Sequence, residues 1–304
     1  MASVTTPLTA DQQHQRAGLI AGLSAYILWG FLPVLFKLVD HVGSVTVVAE
    51  RTFWSLLLVG GVLLAVGRIR EVGAALRDSK TLRAMLMSSA LLGSNWLLYV
   101  WAVETGQVLE ASFGYFINPM LSVAIGMIFL GERQNRTQGI AIGIAVIALI
   151  IQAIGLGRIP YVALGLATTF AAYGFVRKQA TVSSTTGLVV EALLLAPFAI
   201  GYLLYEFATS GPGHHADPGT LFLLMLLGPA TAAPLLLFTF AVQRLRLTTM
   251  GMMQYIAPSI AFVLAITAFG EHLNLVRIIS FALIWFSLAV FTAGSMSKRP
   301  APLA

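Results

Sequence analysis

About ten stretches of predominantly apolar residues, each roughly 20 residues long, follow one another along a chain of 304 residues. Twenty residues of helix rise about 30 Å, the thickness of a bilayer's hydrocarbon core. Lipid offers no hydrogen bonds to a peptide group, so runs of this length must close their backbone bonds internally, as helices. The runs lie at about 17–39, 43–66, 83–103, 109–131, 137–156, 160–179, 184–207, 219–243, 247–270 and 274–295, with Glu271, His272 and Asn274 marking the last turn. Composition agrees. The chain is 58% hydrophobic and 10% charged, with a mean hydropathy of +0.87. A soluble domain carries about 25% charged residues, so this chain could not coat a water-soluble body of its size. The expected fold class is an all-α membrane protein of ten transmembrane helices.

The net charge of +6 has a topological explanation. Alternate connecting segments carry Arg16; then Arg68, Arg70, Arg77, Lys80 and Arg83; then Arg133 and Arg136, Arg177 and Lys178, Arg244 and Arg246, and Lys298 and Arg299. The intervening segments hold only Arg158 and Arg277, while Lys37 and Arg51 fall inside apolar runs. Basic residues stay on the cytoplasmic side. Both termini are therefore expected in the cytoplasm of a multi-pass plasma-membrane protein, and no nucleic-acid partner is needed. No short apolar leader with a small-residue cleavage site precedes residue 17, so no removable signal peptide is expected. The absence of cysteine excludes disulfides and thiolate metal sites.

An internal repeat carries more functional information. Ile117, Pro119, Gly131 and Glu132 recur as Ile256, Pro258, Gly270 and Glu271 at an offset of 139, as do Ala102-Val103 at Ala241-Val242. Val48 and Glu50 recur as Val189 and Glu191 at 141; Gly30-Phe31 recurs as Gly174-Phe175 at 144, setting Trp29 opposite Tyr173. Five helices per half is an odd number, so the second half enters the membrane from the opposite side. Inverted repeats of this kind belong to secondary transporters that alternate access by rocking one half against the other. The expected division is a tail at 1–16, a first repeat at 17–156, a second at 157–295 and a tail at 296–304.

Ionisable groups within the apolar runs are few: Lys37, Glu50, Arg51 and Glu191. Such groups are costly in a membrane and face partners or wet cavities. Lys37, Glu50 and Arg51 lie at comparable depth and form a candidate cluster of gating or coupling charges. For Lys37 the alternative is snorkelling to the outer interface; for Glu50 and Arg51 it is a structural ion pair. Glu191 has no adjacent arginine, and is expected to carry a coupling proton, bind a substrate amine, or serve as a hydrogen-bonded helix contact. Trp29, Asn95, Trp96, Tyr99, Tyr115, Asn118, Tyr173, Gln254 and Tyr255 gather near mid-membrane and suit a pocket that stacks on a solute and hydrogen-bonds its polar edge.

Pro33, Pro119 and Pro258 are expected to kink helices around that pocket, the last two at equivalent repeat positions. Gly18/Gly22 and Gly139/Gly143 read as close helix contacts, and Gly131-Glu132 and Gly270-Glu271 as tight turns. The His214-His215 pair with Asp217 is expected to be a solvated outer loop rather than a metal site.

The stretches WGFLPVLFK (29–37), NWLLYVWAV (95–103), LEASFGYFINPMLS (109–122), FLGER (129–133) and RLRLTTMGMMQYIAPS (244–259) resemble the RarD family. That family is a branch of the EamA proteins in the drug/metabolite transporter superfamily. The resemblance covers nearly the whole chain beyond its N-terminal tail. It implies a plasma-membrane transporter of two inverted five-helix EamA repeats; members are labelled chloramphenicol-sensitivity or resistance-permease proteins. Glu50-Arg51 stands where a family member has His-Arg, and the family supplies no catalytic motif to carry over.

The combined expectation is a secondary active transporter, in the exporting direction, of a small amphipathic or amine-bearing metabolite or drug. Its pocket would be formed by the first, third, fourth, sixth and ninth apolar segments. No phosphate-binding loop for ATP is present and no cofactor is expected. Expected partners are a small-molecule substrate and the lipid bilayer, with protons as candidate coupling ion and a second copy of the chain as candidate homodimer partner. The competing readings are a passive facilitator or uptake permease, a non-transporting scaffold, and a membrane-embedded enzyme.

Overall fold

The computed structural model describes residues 9–105, 107–156, 159–267 and 275–296. The expected turn at Gly270, Glu271, His272 and Asn274 lies outside them, as do Arg158, Lys298 and Arg299. Among the described residues all regular structure is helical. In chain order the helices are α1 (Ala10–Leu38), α2 (Ser44–Ala65), α3 (Ile69–Arg77), α4 (Ser79–Glu104), α5 (Val108–Phe129) and α6 (Arg136–Leu156). There follow α7 (Tyr161–Gln179), α8 (Ser184–Ser210), a short 3-10 turn (Gly213–Ala216), α9 (Pro218–Val242), α10 (Leu247–Gln254), α11 (Ile256–Thr267) and α12 (Leu275–Met296). Among the described residues, seven helical segments are long and apolar enough to cross a membrane by length and composition alone. The chain is a multi-pass membrane protein.

Helix starts follow the local chemistry. Thr9 and Gln12 cap each other reciprocally at the start of α1, and Asn135 and Gln138 do the same for α6, with N–H to side-chain oxygen distances of 3.1 and 2.8 Å. Such boxes satisfy amide donors that have no partner within the helix. Asp217 accepts from the Thr220 N–H at 2.7 Å where α9 begins at Pro218.

Two features depart from the expected helices. The basic connection after α2 contains a helix of its own, α3, whose Val72 and Ala75 are buried and which packs on α4 and α8. Its short apolar stripe at positions 69, 72 and 75 lies within a stretch too charged to register as a membrane run. The single segment expected at 247–270 is instead divided at Tyr255 into α10 and α11. Pro258 has no N–H to return to the carbonyl of Gln254, and the Tyr255 N–H turns back to Met252 at 3.4 Å. Pro33 and Pro119 sit within uninterrupted α1 and α5.

Between helices in lipid, close approach of backbones replaces hydrophobic driving force. A Cβ on Gly18 would meet Arg244 Cβ at 3.0 Å, and one on Gly22 would meet Met253 Cε at 2.8 Å. Both glycines therefore sit at tight contacts between α1 and the end of α9 through α10. Gly139 and Gly143 differ from expectation: a Cβ on either meets nothing within 4 Å, so the open side of α6 runs past them. Gly251 is tighter still, its Cβ position 2.6 Å from the Pro119 carbonyl oxygen, which locks α10 against α5. Two large buried clusters result. One surrounds Tyr26, Tyr173 and Phe238; the other surrounds Phe113, Tyr255 and Phe281.

Candidate substrate cavity

A cavity of about 220 Å³ lies where α1, α2, α4, α5, α7, α9, α10 and α11 converge. Its lining comes from the C-terminal half of α1 and the N-terminal halves of α2, α5 and α7. Seven of the nine expected pocket residues line it: Trp29, Asn95, Trp96, Tyr99, Tyr115, Asn118 and Gln254. Arg51, Pro33 and Pro258 line it as well.

The amides are held by helix-to-helix bonds. Asn95 Nδ2 donates to the Leu166 carbonyl at 2.8 Å and to Thr169 Oγ1 at 2.9 Å, joining α4 to α7. Gln254 Oε1 accepts from Ser122 Oγ at 3.3 Å. Among the described residues, three buried polar atoms on the lining have no hydrogen-bond partner: Tyr26 Oη, Arg51 Nε and Asn118 Oδ1. Buried polar atoms are ordinarily bonded, so these three stand out at the cavity wall. Arg51 places its guanidinium carbon 4.2 Å from the centroid of the Trp96 ring, a cation–π distance.

The other expected site residues lie elsewhere. Tyr173 is fully buried behind the wall, its ring stacked on Phe238 with centroids 6.0 Å apart. Phe170, which does line the cavity, stands between Tyr173 and Trp29 and touches both rings. Tyr255 is also fully buried, its hydroxyl donating to the Phe116 carbonyl at 3.2 Å. Pro119 is drawn into the α5–α10 crossing by Gly251.

The charges form no Lys37–Glu50–Arg51 cluster. Lys37 is exposed and pairs with Asp40 at 2.8 Å. Glu50 and Arg51 diverge because successive helical residues point about 100° apart. Glu50 instead accepts from Trp54 Nε1 at 2.7 Å and meets His215 Nε2 at 2.7 Å. The outer loop expected to be merely solvated is thus tied to α2 through His215, and His214 packs edge-on against His41.

Glu191, read from sequence as unpaired, has a partner. Arg177 Nε lies 3.6 Å away with both side chains fully buried, and Ser88 and Tyr173 donate to the same carboxylate. Arg177 lies against Gly187, where a Cβ would collide with the guanidinium at 2.0 Å. Glu132, expected only to mark a turn, accepts the N–H groups of Leu247 at 2.6 Å and Thr248 at 2.8 Å, capping α10 from another element. Gly131 before it has φ +63°, as a tight turn requires. Sequence reasoning passed over Tyr26 and Phe170, read Arg177 only as a basic segment marker and placed His215 in a solvated loop. Tyr26 and Phe170 each lie one turn before an aromatic residue it did single out; the two cations gave no comparable signal.

The EamA-like transporter family model matches residues 16–153. Over 283 residues the chain is 42% identical to Protein RarD of Salmonella typhi, covering 92% of this chain and 96% of that protein. It is 39% identical to Protein RarD of Escherichia coli strain K12, with 92% and 95% covered, and 38% identical to an uncharacterized transporter of Vibrio cholerae, with 96% and 99% covered. The chain belongs to the EamA-like transporter family, within its RarD group. A solved protein crystal structure shares the fold with a TM-score of 0.70 at 19% identity, covering 93% of this chain and 99% of that one. The cavity draws its lining from both the N-terminal and the C-terminal half of the chain. Its walls are flat rings and amides, with one guanidinium among them.

Proposed function

We propose that this EamA-like transporter exports a small metabolite or drug-like solute across the plasma membrane by secondary, alternating-access transport. The observation that carries the reading is the cavity: aromatic and amide residues from both halves of the chain meet around one space. Ten membrane spans in two inverted halves fit this reading, with α10 and α11 as one broken span and α3 at the surface. Swapping the halves turns the packed pair α1–α9 into α7–α4, α1–α11 into α7–α5 and α2–α9 into α8–α4, all of which are packed pairs. The pairs α2–α8, α5–α10 and α6–α12 map onto themselves. Such exchange symmetry is what a rocking mechanism needs.

With the basic segments inside, the cavity lies toward the outer face, an outward-facing arrangement. On the cytoplasmic side Glu132 caps α10, and Lys178 donates to the carbonyls of Val242 and Leu245 at the end of α9. These contacts would have to open for a solute to enter from within. Glu191 is the candidate for proton coupling, since its carboxylate joins α8 to α4 and α7.

Reconstitution into liposomes with a panel of labelled small solutes tests the proposal. Expected is saturable flux of at least one solute, lost when Trp96 or Trp29 becomes Ala and driven by an imposed ion gradient. Gradient-independent equilibration would identify a passive facilitator; absence of any saturable flux would refute transport through the cavity.

A further inference from the structure

We propose that the cavity selects solutes bearing a negatively charged headgroup, such as a carboxylate on a small aromatic or apolar body, with Arg51 as the anion ligand. The inference rests on the cavity being the transport site. Arg51 is the one charged residue among the described residues that line it. Among the described residues Arg51 forms no ion pair, and its Nε is buried without a hydrogen-bond partner. Elsewhere in the bundle a fully buried cation, Arg177, has its acid at 3.6 Å, whereas Arg51 is half-buried at the cavity. A buried cation left alone is strongly unfavourable, and breaking such a pair is correspondingly destabilising. An anion arriving in the cavity would supply what the protein itself withholds.

The geometry favours an oxyanion in particular. Guanidinium donors lie in the plane of the group, and stacking on an aromatic ring engages its face. Trp96, at 4.2 Å from the guanidinium carbon, offers its ring face and takes no N–H···O bond from these donors. Tyr99 and Tyr115 are the phenols nearest to Arg51 and line the same cavity. The rings of Trp29, Trp96 and Tyr99 offer flat apolar surface to the remainder of the solute. A volume of about 220 Å³ is below the roughly 300–1,000 Å³ of drug-sized pockets, which limits that remainder to about one ring system. Among the described residues an amine finds no counter-charge on the lining: Glu50 is engaged by His215 and Trp54, and Glu191 by Arg177 outside the cavity.

Phenylacetate, phenylacetamide and phenethylamine are nearly matched in shape and differ in charge, so they separate the alternatives. Binding is read as thermal stabilisation of the purified full chain, and flux in liposomes holding the same protein. Phenylacetate is expected to bind at least about tenfold more tightly than phenylacetamide, the scale of one charge-assisted hydrogen bond, with phenethylamine weakest. Arg51→Gln should bring acid and amide to within about twofold, whereas Arg51→Lys should keep a reduced acid preference. If Arg51→Gln does not fold, the wild-type ratio and Arg51→Lys decide. The inference is overturned if amide or amine binds as well as the acid, if the acid does not bind, or if its preference survives Arg51→Gln. Arg51-dependent acid binding without flux would instead leave the anion site standing and refute transport through it. Flux indifferent to charge would do the reverse.

Discussion

His215 Nε2 lies 2.7 Å from Glu50 Oε1 and fastens the short turn between α8 and α9 to the side of α2. The hydrogen bond to the Glu50 carboxylate favours the imidazolium and raises His215 above its ordinary value of 6.5. A group whose folded value is raised stabilises the folded chain below its unfolded value and loses that contribution as pH climbs through the folded one. Thermal stability should therefore decline as pH rises past 6.5 through the raised value. His215→Gln should flatten that part of the profile, and so should Glu50→Gln. A melting profile that keeps its slope in both variants would show that the pair does not fasten the loop.

Glu132 holds the first N–H groups of α10 through both carboxylate oxygens, and Thr248 Oγ1 adds a third bond at 2.5 Å. Glu132→Ala removes the cap and should lower stability by about 2 kcal/mol, the upper range for a lost N-cap. Glu132→Gln keeps one acceptor and should lose less. Denaturation of the detergent-solubilised protein, followed by circular dichroism, measures the ranking.

Arg177 and Glu191 are a buried pair, so removing one partner is worse than removing both. Glu191→Gln leaves an uncompensated guanidinium and should cost about 3–5 kcal/mol. Adding Arg177→Gln should recover a substantial part of that. The same variants test coupling: flux by Glu191→Gln that keeps the wild-type pH dependence would rule out this carboxyl as the proton carrier.

Gly251 and Gly139 make a matched comparison. A methyl group at Gly251 would lie 2.6 Å from the Pro119 oxygen and 3.0 Å from Val123 Cγ2, whereas at Gly139 it meets open space. Gly251→Ala should destabilise by about 1–3 kcal/mol through overpacking. Gly139→Ala should be neutral or gain up to about 1 kcal/mol from helix propensity. Thermal unfolding of the two variants side by side checks the sign of each.

Bilayer thickness, the need to close backbone hydrogen bonds and the placement of basic residues made membrane class and helix positions readable from the order of residues alone. Seven pocket residues were legible too, because amides and rings at one depth are unusual in an apolar run. Which way each helix turns was not. In a soluble helix an apolar stripe marks the buried face, but here lipid and protein interior are equally apolar and the stripe disappears. Packing alone therefore turned Arg51 rather than Glu50 toward the cavity, put Arg177 beside Glu191, drew His215 onto α2, and buried Tyr173 and Tyr255 behind the cavity wall.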